Sequence, residues 1–185
     1  MTITVKIKDI EQRLGIYLKR NYISLGCDSA SKAGWCLIET DNENLNLECG
    51  SLKINSPDAM FKYQEIFKFF FNLIETRLKG KDNTIVVIED TFFGQSVTTL
   101  KMLVRLGMTV FISSMLNEVK SMWIMPSSSR KALGFKGNLR KEEAQKQFLK
   151  KLKIKQIPKD NDIVDSVILS LNGLLSSGTN EVINA

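Results

Sequence analysis

Histidine is absent from all 185 residues. That absence excludes Ser-His-Asp triads, His-assisted cysteine nucleophiles and His-ligated zinc. If the chain is an enzyme, proton transfer and metal ligation fall to carboxylates, lysines, tyrosines or water. Cysteine is scarce too. Cys27, Cys36 and Cys49 are an odd set without CxxC spacing, which excludes a disulfide framework and speaks against zinc. All three lie in apolar or strand-like surroundings and are expected to be small core residues. No uninterrupted apolar run reaches the roughly 20 residues of a bilayer-spanning helix, so no membrane partner is expected. The start, Met1-Thr2-Ile3-Thr4-Val5-Lys6, lacks the apolar stretch and cleavage site of a signal peptide, which leads to an expected cytoplasmic location.

What is present is an ordinary globular composition, 43% apolar and 25% charged, with no repeat, low-complexity tract or proline-rich linker. One domain follows. The formal net charge is +6, which permits nucleic-acid binding without demonstrating it. Its distribution says more. From Arg130 to Lys159, eleven basic residues, Lys131, Lys136, Arg140 and Lys141 among them, face only Glu142 and Glu143 before Asp160 is reached. A solvated lysine-rich helix face accounts for such a run as readily as a DNA-binding surface does.

Residues 1–20 read as an N-terminal extension, with a short strand near Thr2–Ile7 and helical spacing of Ile10, Leu14, Tyr17 and Leu18. Strands are then expected over Tyr22–Cys27, Gly34–Glu39 and Leu45–Ile54, joined by short loops as an antiparallel meander. Asp58 caps a helix from Ala59 to Lys79. Thr84–Ile88 is a β-branched run without polar alternation, which suits a strand covered on both faces. A long helix over Ser96–Leu116, a strand over Val119–Met125 and helices near Ser128–Leu133, Leu139–Leu152 and Asp160–Leu175 complete the chain. Residues 179–185 form a frayed tail. The fold class is α/β, a mixed central sheet of three antiparallel strands and then two parallel ones, flanked by helices. This ordering resembles the ribonuclease H-like architecture.

Acidic residues end several of these elements. Asp28 and Glu89 each close an apolar strand, where a carboxylate is costly to bury unless something compensates it. Asp162 and Asp165 sit three apart at a helix start and so project from one face. Exposed strand ends and the helix dipole explain each of them singly. Together they offer hard oxygen ligands suited to Mg²⁺ or Mn²⁺.

Four segments, in order, resemble the RuvC-type Holliday junction resolvases over roughly Tyr22 to Leu175. Ser24-Leu25-Gly26-Cys27-Asp28 with the turn to Trp35 is similar to the family's first strand and catalytic aspartate. Val87-Ile88-Glu89-Asp90-Thr91-Phe92-Phe93 is similar to its Ile-Glu motif with a following aromatic. Pro126 through Gly134, then Gly137 and Lys141, resembles its lysine- and glycine-containing block. Pro158-Lys159-Asp160-Asn161-Asp162-Ile163-Val164-Asp165 resembles its closing Asp-x-x-Asp helix start.

The resemblance implies a nuclease domain over 21–178. It implies that Asp28, Glu89, Asp162 and Asp165 hold two Mg²⁺ ions (Mn²⁺ substituting) and that water is the nucleophile. Lys141 matches the lysine near the scissile phosphate. Arg130 and Lys131 both approximate another basic position, and Lys136 and Arg140 extend the DNA-binding set. Phe92 or Phe93 falls where the family places an aromatic against unstacked bases. The long helix after Glu89 implies a homodimer with two sites for two strands. The chain departs from the family in having Ser29-Ala30 where a proline-glycine pair is common, and its lysine- and asparagine-rich composition suggests a bacteriophage or similar source. The same metal chemistry would serve a nuclease for forks, flaps or structured RNA. A non-catalytic junction binder is the alternative from another class, although a pure binder gains nothing from bringing carboxylates to phosphate. Phosphotransferase relatives of the fold need two glycine-rich phosphate loops, which are missing.

Overall fold

The computed structural model describes residues 2–28, 32–91 and 96–176. Its centre is a six-stranded sheet formed by β1 (Ile3–Lys6), β2 (Tyr22–Asp28), β3 (Lys32–Thr40), β4 (Asn44–Lys53), β5 (Thr84–Glu89) and β6 (Ser121–Ile124). The spatial order is β1-β4-β3-β2-β5-β6. The strands β1, β4, β3 and β2 are antiparallel neighbours, and β2-β5 and β5-β6 are parallel. The expected meander and parallel pair are therefore present, and a further edge strand is added by β1. In sequence its four residues are too short to assign to the sheet. The structure places Ile3 opposite Leu47 and Val5 opposite Leu45.

Helix α1 (Ile7–Leu14) follows β1 directly and ends where Gly15 adopts a left-handed conformation, φ 72°, which costs a glycine little. Ile7 and Ile10 are fully buried. Each such side chain contributes roughly 1.5–3 kcal/mol, so the first residues belong to the core. The Arg13 guanidinium donates to the Leu152 carbonyl at 2.9 Å, tying α1 to α5 (Lys141–Leu152). One layer thus holds α1, α5, α6 (Asn161–Gly173) and the short α4 (Pro126–Ala132).

The opposite layer holds α2 (Ala59–Arg77) and α3 (Val97–Leu116). Asp58 caps α2 by accepting from the Met60 N–H, and Ser96 caps α3 by accepting from Thr99 N–H. The two cores separate by strand alternation. Cys36 and Ile38 face α6, whereas Ala33 and Leu37 face the α2 layer. By length and composition alone α3 is long and apolar enough to cross a membrane, although no uninterrupted apolar run of that length is present. Lys101 and Arg105 interrupt the apolar run in sequence without removing the helix from that class. Leu106 and Val110 on α3 are nevertheless buried against the sheet.

Candidate active site

The parallel register of β2 and β5 pairs Gly26 with Val87 and Cys27 with Ile88. The next residues, Asp28 and Glu89, end the two strands side by side. Leu25, Cys27, Val86 and Ile88 pack into the α2 layer. Alternation then turns Ser24, Gly26 and Asp28, together with Ile85, Val87 and Glu89, toward α6. Burying one hydrophobic face of each strand is what aims both carboxylates at the same helix.

Helix α6 can lie directly on these strands because two strand positions lack a side chain. A Cβ at Gly26 would sit 2.2 Å from the Ser166 carbonyl oxygen, and one at Gly34 would sit 2.1 Å from that of Asp162. The Ser170 hydroxyl donates to the Ser24 carbonyl at 2.8 Å. At the start of α6, Asp160 is the N-cap and accepts from the Asp162 and Ile163 N–H groups. Its other oxygen takes the Lys32 ammonium at the start of β3. The helix is fixed in height by glycine and along its axis by this clamp.

Seated so, Asp165 meets the strand ends. Carboxylate oxygens of Asp28, Glu89 and Asp165 all lie within 4.8 Å of one another, the only such acidic cluster found among the described residues. Asp28 and Asp165 are each 5% exposed. Burial pushes the Glu89 carboxyl up to about 9, and the Asp28 charge adds to the rise through a shared hydrogen bond and direct repulsion. Burial also raises Asp28, although Lys141 opposes it. Lys141 opens α5 and places its ammonium 2.6 Å from Asp165 and 3.4 Å from Asp28. Burial alone would lower the Lys141 pKa, but Asp28 and Asp165 outweigh it and raise it. Two buried carboxylates and a half-buried third facing one lysine remain short of positive charge, and this deficit suits a hard divalent cation.

A family model described as crossover junction endodeoxyribonuclease RuvC matches residues 24–172. The chain belongs to the RuvC family. RuvC proteins from two Prochlorococcus marinus strains are 26% identical over 156 residues and 23% identical over 150 residues. The first alignment spans 82% of this chain and 97% of the relative, and the second spans 80% and 93%. Among solved structures, Thermus thermophilus RuvC in complex with a Holliday junction substrate superposes with a TM-score of 0.66 at 15% identity, over 88% of this chain and 96% of that one. The yeast mitochondrial Holliday junction resolvase gives 0.52 at 10% identity, over 89% and 84%. The last two likenesses are of fold, which is ribonuclease H-like.

In this RuvC-family chain the four sequence-predicted carboxylates do not stand equally. Asp28, Glu89 and Asp165 converge. Asp162 stands apart from that trio and is partly buried. It is still near enough for its charge to raise Asp28, and its own carboxyl is raised by burial, with Lys141 and Lys32 opposing. Arg130 and Lys131 stand in different surroundings. Arg130 is buried, donates to the Leu139 carbonyl at 3.3 Å, and lines a narrow crevice with Glu89 and Asp165. Lys131 is exposed and lays its stem across Gly137. Lys136 and Arg140 are exposed. Phe92 and Phe93 lie outside the described residues. Sequence reasoning passed over Lys32, Asp160, Gly26 and Gly34. Signals existed for all of these but Lys32: an Asp just ahead of a helix is an N-cap candidate, and a glycine inside a strand marks close backbone approach.

Proposed function

We propose that this protein cuts four-way DNA junctions by paired hydrolysis of phosphodiester bonds in opposing strands. The convergence of Asp28, Glu89 and Asp165 within 4.8 Å, with one lysine against them, carries this reading. Mg²⁺, two ions per site with Mn²⁺ able to substitute, would supply Lewis-acid polarisation and charge neutralisation at the phosphate. Asp28, Glu89 and Asp165, with Asp162 beside them, would hold the metal.

The chain's own groups then have defined tasks. The Glu89 carboxyl, protonated against Asp28 in the chain alone, would serve as a ligand to the cation once its proton is lost to solvent. The Lys141 ammonium, paired with Asp165 at 2.6 Å, would stabilise charge that builds on a non-bridging phosphate oxygen. Arg130, held against the Leu139 carbonyl, adds a fixed positive charge behind Glu89. Lys131, Lys136 and Arg140 contact phosphates away from the cut, and Phe92 or Phe93 stacks on an unpaired base.

Pairing of cuts comes from a homodimer. The exposed residues Val97, Val104, Met108, Ile112 and Met115 follow one another at helical spacing along α3, an apolar stripe left without a partner in the monomer. A two-fold axis through it would present two sites to two strands. Acting on DNA inside the cell, the protein would be cytoplasmic.

The test of substrate is direct. A synthetic four-way junction, a fork, a flap, a linear duplex and a structured RNA are incubated with Mg²⁺, with Mn²⁺ and with EDTA. Paired nicks confined to the junction and dependent on metal are expected. Preferential cutting of forks, flaps or RNA would move the substrate while leaving the nuclease chemistry in place.

A further inference from the structure

Away from the carboxylates, a cavity of about 420 Å³ opens between α5 and the start of α6. That size is in the range of small-molecule sites and is larger than a phosphate alone requires. Leu149 and Val164 form its apolar wall, with Lys146, Lys159 and Glu142 around it. Lys146 and Lys159 are exposed, and no ion pair of either is found among the described residues.

Gln145 also lines the cavity and is 3% exposed. Its amide nitrogen donates to the Asn161 carbonyl at 3.0 Å. Its Oε1 is buried without a donor. Turning the amide over would bring Oε1 against the Asn161 oxygen, so the orientation is fixed and an acceptor is left open. Two cations and an apolar wall call for a ligand that joins an anion to a flat apolar body. A nucleotide has both.

Position indicates the source of the nucleotide. Gln145 follows Lys141 on α5 by four residues, about 6 Å along the axis. Val164 immediately precedes Asp165 on α6. The rise is under two nucleotides of a duplex strand at about 3.4 Å each, so a strand that leaves the carboxylates along α5 would reach this opening.

We propose that the cavity receives one nucleotide of the bound DNA, phosphate between Lys146 and Lys159, and sugar or base on Leu149 and Val164. The Glu142 carboxylate turns the phosphate to the lysine side. This inference rests on the nuclease reading.

Two measurements test it with the full chain. Junction affinity is measured against salt for wild type and the Lys146→Ala/Lys159→Ala double variant, whose positions are exposed. Loss of the one phosphate neutralised between these lysines lowers the slope of log affinity against log salt by about 0.9. Junctions carrying single 4-thiothymidines near the crossover are then photo-crosslinked, and a crosslink is expected in the peptide holding Leu149 or Val164. An unchanged slope overturns the proposal. So does a lowered slope without a crosslink there, which would make the lysines plain surface contacts. Binding of free dTMP or dAMP with junction binding unaltered also overturns it. Cutting by wild type is followed in parallel. Crosslinking at Leu149 or Val164 by a protein that cuts nothing would keep the cavity and remove the nuclease reading.

Discussion

At Glu89 the cost of the site is concentrated in one proton. With its pKa pushed up to about 9 by burial and then by Asp28, the side chain is protonated at neutral pH when no cation is bound. The folded state then binds more protons than the unfolded one between the ordinary 4.5 and about 9. The metal-free protein therefore loses stability as pH rises through that window. The raised Asp28 acts in the same direction. Lys141, raised in its turn, keeps its charge throughout. Glu89→Gln is expected to raise the metal-free melting temperature at pH 8 by several degrees, to flatten its fall with pH, and to abolish cutting. Thermal melts in EDTA across pH 5–9 read this out, and a lower melting temperature for the variant at pH 8 would contradict it. Asp28 and Glu89 were legible because an acid ending an apolar strand is conspicuous. Arg130 was not separable from Lys131, because the phase of α4 depends on its start. Pro126 opens that helix, two residues ahead of the expected Ser128.

The element that assembles the site is α6. Its N-terminal turn is held by the Asp160 cap and the Lys32 ion pair, and its middle rests on Gly26. A clamp of this kind positions Asp162 and Asp165 without touching substrate. Lys32→Met is expected to raise the Mg²⁺ concentration needed for half-maximal cutting several-fold, with kcat at saturating Mg²⁺ nearly kept. Calorimetric titration with Mn²⁺ should show the same loss of affinity. A fall in kcat with unchanged metal affinity would place Lys32 in the chemistry instead. The strands and long helices of the sheet were legible from period and caps. The seating of α6 was not, since it depends on which backbone atoms approach two glycines from across the chain. The edge strand β1 was missed as part of the sheet for the same reason: its partner β4 begins 38 residues after β1 ends.

Across the whole molecule, the two helical layers leave different surfaces. The α5–α6 layer carries the lysines and the site, while α3 on the other layer exposes Val104 and Met108, 43% and 39%. Val104→Glu with Met108→Glu is expected to turn a dimer into a monomer by light scattering and to uncouple the two nicks in a cruciform plasmid assay. A monomeric wild type would contradict the dimer. The central claim, that buried carboxylates perform metal-dependent cutting of a junction, is tested most directly by Asp28→Asn. Cutting and junction affinity are measured on one DNA in Mg²⁺. The account predicts that cutting is abolished while affinity is kept or increased, because a negative charge beside the phosphate is removed. Cutting retained, with weakened binding, would contradict it.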